Sequence, residues 1–289
     1  MALNIVIGIP TIGRATVLRE TLIGLTKQIR KADRIIVCGA RACDVDGAEG
    51  IGGAEVILST PGSSHQRNAL IAAAPTADVI VFFDDDFMAD IAYVAELERA
   101  MERFPAIVVA TGRVLADGIS GPGLTAADAM AILREVLPRP GITAVFSGYG
   151  CNMAVRATVV RAHGLLFDER LPLYAWQEDV DLSRRLAQFG SVVRVEAASG
   201  VHRGVKHGRG SGVRLGYSQV ANPLYLAGKQ AGYPLPRALE HIGRNLAMNI
   251  ARAARPEPYI DRRGRLRGNL LALSDLMLRR MTPERALDL

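Results

Sequence analysis

The sequence predicts an α/β fold built on a mostly parallel sheet flanked by helices. Short β-rich runs alternate with helix-period runs through the first half of the chain. The opening strand is continuously apolar, and a later one ends directly in three carboxylates. Ligands of open α/β sheets bind at the carboxyl ends of strands, so those carboxylates mark the functional edge.

The elements follow in order. Residues 4–9 form the first strand, and Pro10-Thr11-Ile12-Gly13 the loop after it. Residues 14–29 read as a helix with Val17, Leu18, Thr21, Leu22 and Leu25 on one side. Strands follow at 34–38 and 55–58. A helix over 64–74 is stopped by Pro75. The strand 79–83 runs into Asp84-Asp85-Asp86, and a helix over 89–103 and a strand over 106–110 come next. A glycine-rich break at 118–123 precedes a helix over 125–137, closed by Pro138 and Pro140. Gly148-Tyr149-Gly150 leads into an apolar stretch over 151–155. Residues 178–189 read as a helix, 191–196 as a strand and 200–216 as a basic, glycine-rich loop. Beyond 217 the chain reads as helical. This divides it into a unit over 1–216 and a helical, basic extension over 217–289.

Composition narrows the class. With 289 residues, 49% of them hydrophobic, a sizeable core can form. No apolar run reaches the roughly 18 residues of a spanning helix. No basic leader precedes the first strand, so the expected location is the cytoplasm. Cys38, Cys43 and Cys151 are too scattered for a disulfide framework or a zinc site. The net charge of +6 concentrates after His202, in a run of arginines from Arg203 and Arg209 to Arg279 and Arg280. Such a tail suits an anionic membrane face or a phosphate-bearing acceptor, or simply a solvated helical surface. The aromatic–basic interleaving of single-strand readers is missing, so nucleic acid is not an expected partner.

Three constellations carry chemistry. Adjacent carboxylates repel, and a divalent cation relieves that repulsion. Asp84 and Asp86 alternate to the same side of an extended chain. Trp176-Gln177-Glu178-Asp179-Val180-Asp181-Leu182 clusters acids at a helix start, beside the aromatic residues Tyr174 and Trp176. Acids suit a helix N-terminus on dipole grounds alone, but a carboxylate beside an aromatic wall can also act as a general base toward a sugar. His202, after the last strand, is a candidate for metal or diphosphate contact.

Taken together, these segments resemble a family 2 glycosyltransferase of the GT-A fold. The resemblance rests on Ile5 to Thr11 with Arg14, on Gly62 to Ala69 with Arg67-Asn68, and on Phe82-Phe83-Asp84-Asp85-Asp86 as an Asp-x-Asp motif. It continues through Gly150 to Arg156, Phe167-Asp168-Glu169-Arg170, Glu178 to Leu182 and His202, covering about residues 3 to 204. It implies an inverting, metal-dependent transferase using Mg²⁺ or Mn²⁺. Pro10, Thr11, Arg14, Arg67, Asp84 and Asp85 would bind the donor, and Asp86 and His202 the cation. Asp179 would be the general base with Glu178 beside it, and Gly150 and Trp176 would meet the acceptor. Where the family commonly has a base-reading Asp after the second strand, this chain has Cys38, and a thiol is a poor acceptor. A UDP-sugar is the first expectation, with dTDP and GDP as alternatives. The Gln-x-x-Arg-Trp sequence of processive synthases is absent, which implies addition of a single sugar to a glycan or lipid-linked glycan.

Two other functions compete. A sugar-phosphate nucleotidyltransferase would share an acidic metal site, but it leaves Glu178-Asp179 unexplained. A non-catalytic nucleotide-sugar-binding protein would not need these acids intact. In the extension, 239–253 and 266–281 mix apolar residues with arginines, as a helix lying in a membrane interface or a homodimer contact would.

Overall fold

The computed structural model describes residues 2–137, 139–206 and 210–289. Pro138, expected to close a helix, and Arg209, counted in the basic tail, lie outside the described residues. Four parallel strands, β1 (Ile5–Pro10), β2 (Arg34–Gly39), β3 (Ala54–Leu58) and β4 (Val79–Phe83), stand in the order β3-β2-β1-β4. They are joined through α1 (Ala15–Leu25) and α2 (Ser63–Ala73). All five residues of β4 are buried, as a strand covered on both faces requires. Alternation along β1 sends Ile5, Ile7 and Ile9 into a core with Leu18, Leu22, Tyr93 and Leu97. Val6 joins Leu70, Ile80, Phe82, Leu182 and Leu186 on the opposite face.

The sheet then turns antiparallel. After β5 (Phe87–Ala89) and α3 (Tyr93–Arg103) come β6 (Ile107–Asp117), α4 (Ala126–Arg134), β7 (Ile142–Ala144), β8 (Asn152–Arg156), α5 (Ala157–Ala162), α6 (Glu178–Leu186) and β9 (Ser191–His202). Strand β8 runs antiparallel between β4 and β6, and β9 lies parallel to β6. Short β5 and β7 both pair with the outer edge of β9.

Three sequence expectations need correction here. The helix expected over 89–103 starts only at Tyr93, because Phe87 and Met88 pair with His202 and Val201. The strands expected over 106–110 and 191–196 extend to Asp117 and His202, because each is the other's ladder partner. Gly200 and His202 are therefore strand residues rather than part of a loop. A Cβ at Gly200 would lie 2.2 Å from the Phe87 ring, so glycine there permits the strands to approach.

The helical extension starts at Gly212, inside the loop expected over 200–216, and consists of α7 (Gly212–Gly228), α8 (Leu235–Ala253) and α9 (Arg262–Met277). Tyr217, Val220, Ala221, Ile242 and Ala272 form its small core. Gln219, Asn249 and Asn269 are buried within it and hydrogen-bond one another. Ion pairs tie the end of α7 to α6 and the loop before it: Lys229 meets Asp168 at 2.8 Å and Asp181 at 2.6 Å.

Candidate active site

Two carboxylate groups meet at the strand ends, linked by one buried arginine. The first follows β4. A tight turn follows β4, closed by the Phe87 N–H on the Asp84 carbonyl at 3.0 Å, and it brings Asp84 and Asp86 to the side where His202 arrives at the end of β9. One ligand atom from each of the three lies within 4.8 Å of the other two. His202 Nε2 stands 3.4 Å from Asp86 Oδ1 and 3.9 Å from Asp84 Oδ2. Its other ring nitrogen is 2.9 Å from Asp117 Oδ1, and Tyr149 donates its hydroxyl to Asp117 Oδ2 at 2.7 Å. This is the carboxylate–histidine arrangement that orients a metal-ligating imidazole. Asp117 was not anticipated from sequence, where the strand carrying it was read as ending at 110. In the register of β6 and β9 it sits directly opposite His202.

Electrostatics follow from that crowding. Burial opposes the charged form of Asp86, but facing His202 and Arg14 hold its carboxyl below the ordinary range. Burial also opposes a charged His202, yet Asp117 and Asp86 push it up to about 10. The cluster thus draws in positive charge strongly enough to keep a proton on the imidazole when nothing else supplies it. Asp86 Oδ1 is buried and takes no hydrogen bond. Two carboxylates and an imidazole form a donor set that suits Mn²⁺ or Mg²⁺.

Asp85 points the other way and is fully buried. Thr11 donates its hydroxyl to Asp85 Oδ2 at 2.6 Å, and Arg14 reaches Oδ1 at 2.6 Å. Burial pushes Asp85 up to about 7, against the pull of Arg14. Thr11 and Asp85, expected at the donor, bond each other in this structure and hold the loop after Pro10. Arg14 keeps a partly exposed edge beside Asp86, 3.4 Å away. Asp44 is also buried, accepting from the backbone N–H of Gly13 and Arg41 at 2.8 Å each. Cys38 is buried against Ser59, and its carbonyl accepts from Gln66 at 2.7 Å.

The second group opens α6. Asp179 accepts from Gly150 N–H on Oδ2 and from Val180 N–H on Oδ1, both at 2.8 Å. Burial raises its carboxyl above the ordinary value, against the pull of Arg67. Glu178 is bound by Arg67 and, at 3.1 Å, by the Ser63 hydroxyl. Asp181, by contrast, is held by Arg185 at 2.7 Å and by Lys229, which leaves it a structural role.

Arg67 joins the two groups. It is buried over the rings of Phe82 and Phe167, and it contacts Glu178, Asp84 at 3.2 Å and the Gly150 carbonyl at 2.9 Å. Two nitrogens of the Arg67 guanidinium are taken by protein groups, so a donor contact by Arg67 would involve a side chain that already links the two groups of acids. Gly150, expected at the acceptor, lies in the same bridge. A Cβ there would sit 3.3 Å from both Arg67 and Asp179. Gly150→Ala is therefore expected to displace Asp179 while leaving Asp84, Asp86 and His202 in place. Turnover should fall while cation-dependent nucleotide binding, followed by calorimetry, stays as in the wild type.

Trp176 is partly exposed just before the acids, its ring 6.4 Å from that of Tyr174. The backbone here is unusual: Leu173, Ala175 and Gln177 all have positive φ. Such conformations cost about 1–3 kcal/mol each and persist where surrounding structure enforces them.

No family model matches the sequence, and no curated protein matches it. Solved structures do match. S. aureus TarS 1–349 in complex with UDP-GlcNAc shares 13% identity at a TM-score of 0.59, over 98% of this chain and 83% of that one. The mannosyltransferase PcManGT from Pyrobaculum calidifontis, in complex with GDP-Man and Mn²⁺, shares 14% at 0.55, over 96% and 88%. GalNAc-T7 with UDP, GalNAc and Mn²⁺ shares 12% at 0.59, over 99% of this chain and 56% of that one. The chain has the GT-A fold. In that fold β1 to β4 form the parallel part of the sheet, and the three carboxylates follow the carboxyl end of β4.

Proposed function

We propose that the protein is an inverting, metal-dependent glycosyltransferase of the family 2 type that it resembles. It transfers one sugar from a nucleotide-diphosphate donor, a UDP-sugar first, to a hydroxyl of a glycan or lipid-linked glycan. The observation that carries this reading is the pairing of a cation-ready trio, Asp84, Asp86 and His202, with a second carboxylate, Asp179, through Arg67 and Gly150. The nucleotide-sugar complexes of TarS and PcManGT support the donor class.

In this reading Asp84, Asp86 and His202 hold the cation, which supplies positive charge to the departing diphosphate. Asp117 keeps the His202 ring turned so that Nε2 faces the two acids. Each oxygen of Asp179 accepts one backbone hydrogen bond and keeps capacity for another. The side chain takes the proton of the acceptor hydroxyl as that oxygen bonds to the anomeric carbon. The bond from that carbon to the diphosphate oxygen breaks in the same displacement, which inverts the centre. Trp176 offers its indole face, and its Nε1–H has no acceptor among the described residues.

The deciding experiment is product analysis with a panel of nucleotide sugars and Mn²⁺. Nucleoside diphosphate with a glycosylated acceptor is expected. Nucleotidyl transfer would show instead as pyrophosphate released when the protein is given a nucleoside triphosphate and a sugar 1-phosphate. Binding without turnover of any donor and acceptor would indicate a non-catalytic protein. Asp117→Asn should weaken cation affinity about 10–100-fold, the usual cost of losing a histidine's supporting carboxylate. Titration of Mn²⁺ by electron paramagnetic resonance measures it directly.

The acceptor's setting is part of the same reading. Among the described residues, no helix is long and apolar enough to cross a membrane. Yet α9 turns Asn269, Ala272 and Asp275 inward and leaves Leu270, Leu276 and Met277 exposed, and α8 leaves Leu239, Met248 and Ile250 exposed. Exposed Arg252 and Arg267 lie on the same helices. These exposed apolar residues are spread around the two helices rather than gathered on one face, so what favours a peripheral seat on an anionic leaflet is the basic charge, at about 1 kcal/mol per basic residue near the surface. The protein is expected to sediment with anionic vesicles at low salt and to release them at high salt. Failure to sediment at low salt would leave this surface as packing or as a contact between copies, the second of which analytical ultracentrifugation detects.

A further inference from the structure

The five residues before α6 hold three left-handed backbone conformations, none of them glycine. The φ angles are 58° at Leu173, 52° at Ala175 and 74° at Gln177. Local turns contribute the Ala175 N–H bond to the Pro172 carbonyl and the Glu178 N–H bond to Ala175, both at 2.9 Å. The start of α2 holds the segment at one end, with the Ser63 N–H on the Leu173 carbonyl at 2.8 Å, and the C-terminal helices hold the rest. Asn222 of α7 donates to the Trp176 carbonyl at 2.9 Å. Ala175 is buried with Leu226 and Ala238 of α7 and α8. The Gln177 side chain turns away from α6 and is buried in the extension. Its amide Nε2 lies 2.6 Å from Nδ1 of His241, and the Tyr233 hydroxyl donates to its Oε1 at 3.2 Å. Burial, with Arg237 next, lowers the pKa of His241. A neutral imidazole accepts the Gln177 amide proton through Nδ1.

We propose that the extension is part of the catalytic apparatus, with Gln177, His241 and Tyr233 as positioning residues that clamp this segment and thereby set Asp179. The kinetic consequence rests on the glycosyltransferase reading, whereas the clamp itself does not. The first turn of α6 hangs on Gln177: its carbonyl accepts the Asp181 N–H at 3.0 Å. Asp179 lies two residues beyond the left-handed Gln177. If Gln177 relaxes to a right-handed conformation, the chain direction into α6 changes and the contact of Asp179 with Gly150 N–H is lost. The cation-side groups stand after β4 and at the ends of β6 and β9, and their link to α6 runs through Arg67 between Asp84 and Glu178.

The test uses the full chain with three substitutions. His241→Ala should lower kcat about tenfold while leaving the KM for the donor unchanged. It should also speed amide exchange at 173–179 without affecting β1 and α1. His241→Asn, whose amide oxygen can replace Nδ1 as acceptor, should restore most of the loss. Tyr233→Phe, which keeps the packing and removes one hydrogen bond, should give a smaller fall of the same kind. Unchanged kcat and unchanged exchange in His241→Ala would overturn the clamp. So would a loss in which donor KM rises and exchange increases across the whole chain, since that reports general destabilisation. A wild-type protein without turnover on any nucleotide sugar would defeat the glycosyltransferase reading instead. The exchange comparison would then still decide the clamp.

Discussion

Asp179→Asn is expected to lower turnover by about 10²–10⁴-fold, the range lost when a positioned general base is removed. The amide retains the shape of the side chain, and its oxygen can still accept from Gly150 N–H. What it loses is the capacity to take a proton. Donor binding should be nearly unchanged, because the trio that would hold the diphosphate's cation lies on other strands. A pH profile gives a second readout. Burial raises the Asp179 carboxyl above the ordinary aspartate value of about 3.9. The base works when ionised, so kcat/KM should fall as pH drops through that raised value. This acid limb should disappear in the residual activity of the Asn variant. Near-normal turnover by Asp179→Asn would move the base elsewhere, and Glu178 would be the next to test. Asp181 would not, since Arg185 and Lys229 occupy it.

The parts of this site that sequence made legible are those governed by local geometry. A continuously apolar run over 79–83 reads as a doubly covered strand. The tight turn that follows it, closed by the Phe87 N–H on the Asp84 carbonyl at 3.0 Å, differs from the extended chain expected there, yet it still brings Asp84 and Asp86 to His202 and turns Asp85 inward to Thr11 and Arg14. Arg67 shows where local reasoning stops. Its partners Gly150 and Glu178 are 83 and 111 residues away, and no spacing rule joins them. Asp117 shows a different limit. The strand carrying it continues past its apolar run because β9 supplies a ladder partner, and a single-strand reading has no access to that partner. The left-handed residues before α6 were hidden for a related reason. Leucine, alanine and glutamine carry no turn signature, and their conformation is supported by residues distant in the chain, Ser63 on one side and α7 and α8 on the other.

Asp86→Ala is expected to abolish most of the cation-dependent affinity for nucleoside diphosphate, a larger loss than the roughly 100-fold upper range for a supporting residue such as Asp117. Asp86 faces His202 with one oxygen, while the other accepts from Val205 N–H at 2.8 Å. Alanine therefore also loosens the segment after β9. Asp86→Asn separates the effects, because its amide oxygen can still accept from Val205 while the negative charge is gone. If both variants lose affinity alike, the charge is what matters. Calorimetry with and without chelator is the direct measurement, and a wild-type protein indifferent to chelator would refute the assignment. Proton release gives an independent check. Without a cation, Asp117 and Asp86 hold His202 protonated up to about 10, against the effect of burial. A cation that takes the Nε2 lone pair must displace that proton. Apparent affinity should therefore rise with pH throughout the range below that value. Titrations in buffers of different ionisation enthalpy should show about one proton released per cation bound. His202→Asn should bind more weakly and lose both the release and the pH dependence, because no titrating ligand then remains between the two acids.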